Sequence, residues 1–590
     1  MKNYNISYRP FFLLFILLWG SSSCTKLDLY QKDAANTGDW YKTEDQFRQS
    51  INDLYRNDFW LRDDAGRSGW DDDFQRRMEV YDIKGGTVAS NFSEASTYWF
   101  RMYKAIERAN EIADHLTQQS GILTDEVANR FLGEVNFCRA SYWSYLITHF
   151  GDVPFYEQPI TMDESFEISR TDKQEILQKI YTYYDDAAQY LPTAYSGVSY
   201  ATKGAALALK ARAAIYMGDY AVAARAAQDC MDLAVYELHP NFLELFLSKT
   251  KSSKEVIFQI PKSEDFNEIA SSGMVEGYLP RNLGGIASRD PSWALLASFE
   301  CTDGKTIDKS PLFDPRNPFK NRDPRCAMTI IPFGSLKDGD GLSPESGSTF
   351  INMEYNPHPE HKQVMNYNTD ARIRNQDTRS VNAYAAFNGL LWKKQVDEDW
   401  LDLVTAPNRI IIRYADVLLM YAEAKIELNE IDETVLEAIN TVRRRAYAGT
   451  DIPAPLITST DQKELRYKIR NERRMELAEE GLRYMDLIRW RLAHKAIKGN
   501  IYGLSNVAVN TDVNVAPTGP LMDNVVKPGL WFWGMTPTID EDGLPNFDKL
   551  YQANLCRVLN VMNFPERQYL WPIPADELLL NKNLTQNPGY

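Results

Sequence analysis

The sequence has little of what most enzyme and metal chemistry requires. Its 590 residues include only 6 cysteines and 6 histidines. Cys24, Cys138, Cys230, Cys301, Cys326 and Cys556 are scattered, with no CxxC pair, which argues against a zinc site and against a disulfide framework. Cys138 and Cys230 fall on apolar helical faces and read as buried thiols. Only His358 and His361 are close together, and an HxxH pair needs two further ligands to hold zinc. Asp338 and Asp340 lie in a DGDG turn that lacks the later ligands of a calcium loop. GxSxG, P-loop and HExxH patterns are absent. No metal, cofactor or catalytic nucleophile is therefore expected. A carboxylate pair for glycoside hydrolysis stays open, because an acidic chain offers many pairs and nothing singles one out. Positive charge is short as well: 65 Lys and Arg against 81 Asp and Glu leave a net charge of −16, which disfavours nucleic acid and anionic membrane surfaces as partners.

Long apolar runs are missing too. The one short run, from Phe11 to Trp19, follows Lys2 and Arg9 and precedes Gly20, Ser21, Ser22, Ser23 and Cys24. That order is the layout of a secretory signal. A bilayer span needs about 20 residues, so the run is too short to be one. Cleavage before Cys24 would expose a thiol for diacylglycerol transfer and an amine for acylation. Cys24 is the expected lipidation site, with residues 1–23 as signal peptide and 24–40 as tether. Several acyl chains anchor stably, since each buried methylene adds about 0.8 kcal/mol.

Aromatics are plentiful, at 12%, with 33 Tyr and 13 Trp. Most such rings belong in a core, but some can be spared for flat ligand surfaces. Apolar periodicity predicts helices over 43–59, 96–118, 124–150 and 172–190, the third stopped by Gly151 and Pro154. Residues 202–233 then give two alanine-crowded helices joined at Gly218 and Asp219, and 413–446 repeats the design with Asn429 and Glu430 in the turn. Both resemble tetratricopeptide units of roughly 34 residues. The expected fold is mainly α: a tetratricopeptide-like helical-repeat superhelix with irregular, turn-rich lobes and a few short strands. Residues 41–260 form an N-terminal helical region, 261–408 a turn-rich excursion, and 409–590 a C-terminal region. The chain must leave the stack and come back to it.

Residues 464–490 read as a polar helix, a glycine stop at Gly481 and a second amphipathic helix containing Tyr484, Leu487, Ile488 and Trp490. Glu472 and Glu476 are spaced with Arg466, Lys468, Arg470, Arg473 and Arg474 for local pairs of opposite sign. Leu465, Ile469 and Leu477 remain as sparse apolar contacts. So many arginines read as a salt-bridged helical face, not a phosphate-binding stripe, because acids are as frequent as bases.

The string RNERRMELAEEGLRYMDLIRW within 464–490 is similar to the signature of the SusD/RagB family of Bacteroidetes surface lipoproteins. RYADVLLMYAEAKIEL at 413–428 and YLWPIPADELLLNKNLTQNPGY at 569–590 match in the expected order, and Trp99, Tyr103, Ile106 and Asn110 fit the family's first long helix. The resemblance implies a non-catalytic protein anchored in the outer membrane and facing outward. Such a protein captures a glycan or oligosaccharide and delivers it to a SusC-like TonB-dependent outer-membrane transporter. In the family, the helical face meets the transporter, and the long N-terminal loop and the excursion hold the ligand. Ring-and-polar groupings on those segments nominate Trp70 with Arg67, Asp71 and Asp72, Tyr278 with Arg281 and Asn282, and Trp293 as ligand-binding residues. Trp99, Tyr103 and Trp392 read as core. A surface glycoside hydrolase, or a peptide-uptake or scaffold lipoprotein of the same family, is the alternative reading.

Overall fold

The computed structural model describes residues 40–61, 69–334, 353–396, 400 and 403–590. Cys24, Arg67, Asp338 and Asp340 lie outside them. The described chain is mainly helical, with short two-stranded pairings. Its first half contains α1 (Glu44–Leu54), α2 (Ser93–Gln118), α3 (Asp125–Phe150), α4 (Lys173–Tyr190), α5 (Lys203–Tyr216) and α6 (Tyr220–Met231). The starts follow local chemistry. The side chains of Thr43, Thr124, Asp172, Thr202 and Asp219 each accept a first-turn backbone N–H. Caps of this kind contribute about 1 kcal/mol apiece. Gly151, at φ 75°, ends α3 where the sequence predicts a stop.

Helices α2 to α6 stack in chain order, each packed on the next. Ala205, Ala206, Ala208 and Ala211 on α5 and Ala223, Ala226 and Ala227 on α6 are buried. Methyl side chains let the two backbones approach closely, and the turn at Gly218, at φ 78°, is too short for any path but a fold back. Strand β1 (Val256–Ile260) then leads out to the excursion, and β2 (Arg409–Arg413) leads back in. The two pair antiparallel, Val256 opposite Arg413 and Ile260 opposite Arg409, so the excursion leaves and returns through one ribbon. Helix α7 (Tyr414–Glu427) follows β2 directly and packs on α6, and α8 (Glu433–Ala446) folds back on α7. The second hairpin thus takes its place next to the first.

The excursion is irregular but not hollow. Trp293, Leu296, Tyr355 and Trp392 from it share a second core with Leu504, Phe532, Trp533 and Phe547 from the C-terminal part. There β3 (Gly499–Leu504) pairs antiparallel with β4 (Cys556–Met562). Trp392 and Trp99 are core residues, as the sequence predicts, and Tyr103 is partly buried beside Trp99.

The charged signature segment departs from expectation. Helix α9 (Gln462–Leu477) ends four residues before Gly481, and α10 (Arg483–Arg489) begins two after it. Glu479, at φ 64°, and Gly481, at φ 76°, both turn left-handed in between. Leu465, Ile469 and Leu477 are buried as predicted, but so are Glu472, Arg473, Arg474 and Glu476. Their partners are distant in sequence, not one turn away. Arg325 pairs with Glu472 at 2.7 Å and with Glu476 at 2.9 Å. Arg443 pairs with Glu472 at 2.8 Å, and Arg413 with Glu476 at 2.6 Å. Arg445 also reaches Glu476. Arg473 bridges Asp416 at 2.8 Å and Asp486 at 3.0 Å. A local pair in water is worth only tenths of a kcal/mol, whereas a charge in the interior must be fully paired. Burial alone would raise the Glu476 carboxyl, but Arg445, Arg413 and Arg325 outweigh it and hold it far below the usual range. Arg212 and Arg473 likewise overcome burial at Asp416, which sits at about 2.

Candidate functional site

The rings nominated from sequence are walls, not platforms. Trp70 is 2% exposed. It packs edge-on against Trp571 at 5.2 Å and Tyr484 at 5.5 Å. Trp293 is 3% exposed, and its Nε1 donates to the carbonyl of Asn388 at 2.8 Å. Tyr278 is 9% exposed, with its hydroxyl donating to Glu479 Oε1 at 2.5 Å. Asp72 is buried between Arg474 and Arg483, each at 2.8 Å. Asp71, beside it, accepts the backbone N–H groups of Asp73 and Phe74. In this fold none of these three rings turns a face to solvent. The reason is a pairing invisible in the sequence. Phe74 and Gln75 form an antiparallel bridge with Pro291 and Asp290, which draws the Asp-rich loop inward beside the second core.

Immediately after that bridge the chain turns outward. Arg77 takes a left-handed φ of 43°, and its Nη2 donates to the carbonyl of Ile286 at 2.7 Å. Its guanidinium stands 5.7 Å from the ring of Tyr384. Tyr384 is 62% exposed. Arg281 ties the same two segments together: its Nε donates to the Tyr384 carbonyl at 2.9 Å and its Nη2 to the Ile286 carbonyl at 3.0 Å. Asn282 lies at the edge of this face. Its Oδ1 accepts from the Gln376 backbone at 2.7 Å, and its Nδ2 has no partner among the described residues. Asn382 donates to the Gln376 side chain at 3.2 Å. Three distant segments thus present an open phenol ring flanked by guanidinium and amide groups. An open ring can pack on the apolar C–H side of a sugar, and planar guanidinium forks suit polar oxygens.

Two carboxyls lie below this face. Asp377 accepts the backbone N–H groups of Arg281 at 2.7 Å and Asn282 at 3.1 Å. Burial pushes it up to about 6, against the lowering effect of those hydrogen bonds and of the Arg281 charge. Asp290 is fully buried, and both of its oxygens lack a hydrogen-bond partner among the described residues. Burial holds it well above the usual carboxylate range, although Arg77 and Arg281 pull the other way. Asp377 fixes the loop and Asp290 stays inside, so neither reaches the surface as a general acid or base. Elsewhere, a cavity of about 330 Å³ lies beside the β1–β2 ribbon with Met274, Gln259, Trp400 and Arg409 on its walls. The His358 and His361 rings are 5.0 Å apart, and burial, then His361, lowers His358 to about 4.

Tyr384 and Arg77 were not nominated from sequence. The signal available was weak: a tyrosine in the small-residue turn NAYAA and a pair of arginines after an Asp run.

Residues 254–590 match the SusD family, and residues 32–216 match a family described as starch-binding associating with outer membrane. The chain is 25% identical to SusD-like protein P2 of Formosa agariphila, over the full length of both. It is 26% identical to SusD-like protein P25 of the same organism, over 67% of this chain and 70% of that one. A crystal structure of a SusD-like carbohydrate-binding protein from Bacteroides fragilis superposes with a TM-score of 0.70 at 26% identity, covering 92% of this chain and 99% of the other. A laminarin-binding SusD-like protein has the same fold, with a TM-score of 0.58 at 19% identity, covering 93% of this chain and all of the other.

Proposed function

The chain belongs to the SusD family, and on that footing we propose that it is a non-catalytic, lipid-anchored surface protein that captures a glycan on the face built by Arg77, Arg281 and Tyr384. The observation that carries this reading is the 62% exposure of Tyr384 beside the Arg77 guanidinium, in a fold whose other large rings are mostly packed. The carbohydrate-binding relative from Bacteroides fragilis, matched over 92% of this chain, supports the same ligand class. Tyr384→Ala tests it. The variant should keep its melting temperature and lose at least tenfold in affinity for its glycan in calorimetry. Unchanged affinity would remove this face from the site.

We read the stacked hairpins as tetratricopeptide-like, and their outer side as the surface that meets a SusC-like TonB-dependent transporter. A second candidate contact lies at α2, where Phe100 and Phe166 are exposed and line one cleft with Trp99, Tyr103 and Leu584, while Leu579 and Leu580 stand exposed next to that cleft's Glu577 and Asn581. Apolar surface of this kind marks protein contacts. Phe100→Asp with Leu580→Asp should abolish co-purification with the transporter and leave glycan binding intact. Anchoring is assigned to Cys24. No helix among the described residues is long and apolar enough to cross a membrane. A fatty-acid probe should label the wild type and leave Cys24→Ala unlabelled.

A further inference from the structure

Most buried guanidinium groups in this chain meet carboxylates. Arg325, Arg413, Arg443, Arg473 and Arg489 each pair with at least one acid. With 81 acidic residues against 65 basic ones, such partners are plentiful. Arg379 and Arg557, both half-buried, pair with no acid among the described residues. The Arg379 guanidinium lies 4.3 Å from the ring of Phe387, and that of Arg557 lies 5.5 Å from the same ring. Arg557 anchors itself through Nε to the Leu504 carbonyl at 3.1 Å. Beyond that, Nε and Nη1 of Arg379 and Nη2 of Arg557 are buried without a hydrogen-bond partner among the described residues. Burial, then the neighbouring Arg557 charge, lowers Arg379 to about 10, and no carboxylate among the described residues shifts either group. Two like charges held together with unused donors oppose folding, so a fold that keeps them is organised for something that arrives later.

The pair is continuous with the face already described. Arg379 precedes Asn382 and Tyr384 on one segment. Asn560, on the strand that carries Arg557, donates to the carbonyl of Met78, next to Arg77, at 2.5 Å. We propose that Arg379 and Arg557, braced on Phe387, form a subsite for an oxyanion, and that the captured glycan is acidic, carrying sulfate ester or carboxylate groups. Guanidinium forks bind both groups through paired N–H donors, and an oxyanion at the accessible edge of the two side chains neutralises the like charges. The glycan half of this inference rests on the function proposed above; the oxyanion half does not.

The test has two arms, run on the full mature chain. In the first, melting temperature is followed in sodium sulfate and in sodium chloride at matched ionic strength. Sulfate is expected to raise the wild type several degrees more than it raises Arg379→Gln or Arg557→Gln. Both variants are expected to fold, since each removes one of two repelling charges, and Arg557→Lys should recover part of the sulfate response. An identical sulfate response in wild type and both glutamine variants overturns the subsite. In the second arm, binding to sulfated, uronate-bearing and neutral oligosaccharide panels is compared. Acidic glycans should lose at least tenfold in either glutamine variant, and the panel that binds separates sulfate from carboxylate. Binding confined to neutral glycans and indifferent to both substitutions overturns the acidic-ligand reading and leaves glycan capture standing. Binding to no glycan, with an arginine-dependent sulfate response, overturns glycan capture and leaves the oxyanion subsite standing.

Discussion

Arg474 and Asp72 stand 402 residues apart in sequence and 2.8 Å apart in the fold. Their bond fastens the N-terminal loop to the signature helix α9, with Arg483 at 2.8 Å completing the grip on Asp72. Asp72 therefore acts in folding. Asp72→Ala leaves two guanidinium groups without this partner, and breaking a buried ion pair costs about 3–5 kcal/mol. Urea denaturation should show a loss of that order, with ligand affinity per folded molecule unchanged. A variant as stable as wild type, with lost affinity, would return Asp72 to the binding site.

Trp70 and Tyr384 separate core from surface in the same way. Trp70→Ala empties a site shared with Tyr98, Tyr484 and Trp571. Truncating a buried tryptophan costs about 3–5 kcal/mol. Tyr384→Ala removes an exposed ring and should stay within about 0.5 kcal/mol of wild type. Thermal melts of the two variants side by side check both numbers.

Acid should release the charge network. Asp416, at about 2 in the folded chain, has an ordinary carboxyl value near 3.9 when unfolded. Between about pH 5 and pH 2 the unfolded chain binds more protons, so stability falls as pH falls. Asp416 alone contributes about 2–3 kcal/mol that is present at neutral pH and is lost as pH falls through about 2. Glu476, Glu423, Glu480 and Glu300 are also lowered and act in the same direction. Denaturant midpoints measured from pH 6 down to pH 2 should drop steeply, and less steeply in Asp416→Asn.

Asp377 works with the opposite sign. Raised to about 6 by burial, it holds its proton in the folded chain over a range where the unfolded chain has lost it. Its contribution is fully present below about pH 4 and is lost as pH rises through 6, amounting to about 3 kcal/mol at 1.36 kcal/mol per pH unit. Asp377→Asn removes this titration, so the stability difference between variant and wild type should shift in favour of the variant between pH 4 and pH 7.

The helical half was legible because its signals are local. Thr124 caps α3, Gly151 ends it, Gly218 turns α5 into α6, and Cys138 and Cys230 are buried on the faces that periodicity assigns. The excursion was legible as a departure, and the β1–β2 ribbon shows how its ends meet. What composition could not reveal was partner choice across hundreds of residues. Arg473, Arg474 and Glu476 look like a solvated face because their spacing permits local pairs; tertiary burial overrides that spacing. Trp70 and Trp293 look like loop rings because glycine, serine, aspartate and proline surround them, yet the bridge of Phe74 and Gln75 to Pro291 and Asp290 carries their segments inward. Tyr384 is the reverse case, an unremarked tyrosine left outside by the same packing.

The grip of Arg474 and Arg483 on Asp72 also imposes a schedule. A ribosome delivers Asp72 and Asp73 long before it delivers the arginines that neutralise them. Until then the N-terminal loop lacks its ionic grip on α9, and only the earlier bridge of Phe74 and Gln75 to Pro291 and Asp290 is available to hold it. Chains cut short before Arg474 should remain protease-sensitive throughout, and only those that include Arg483 should acquire the resistance of the finished molecule.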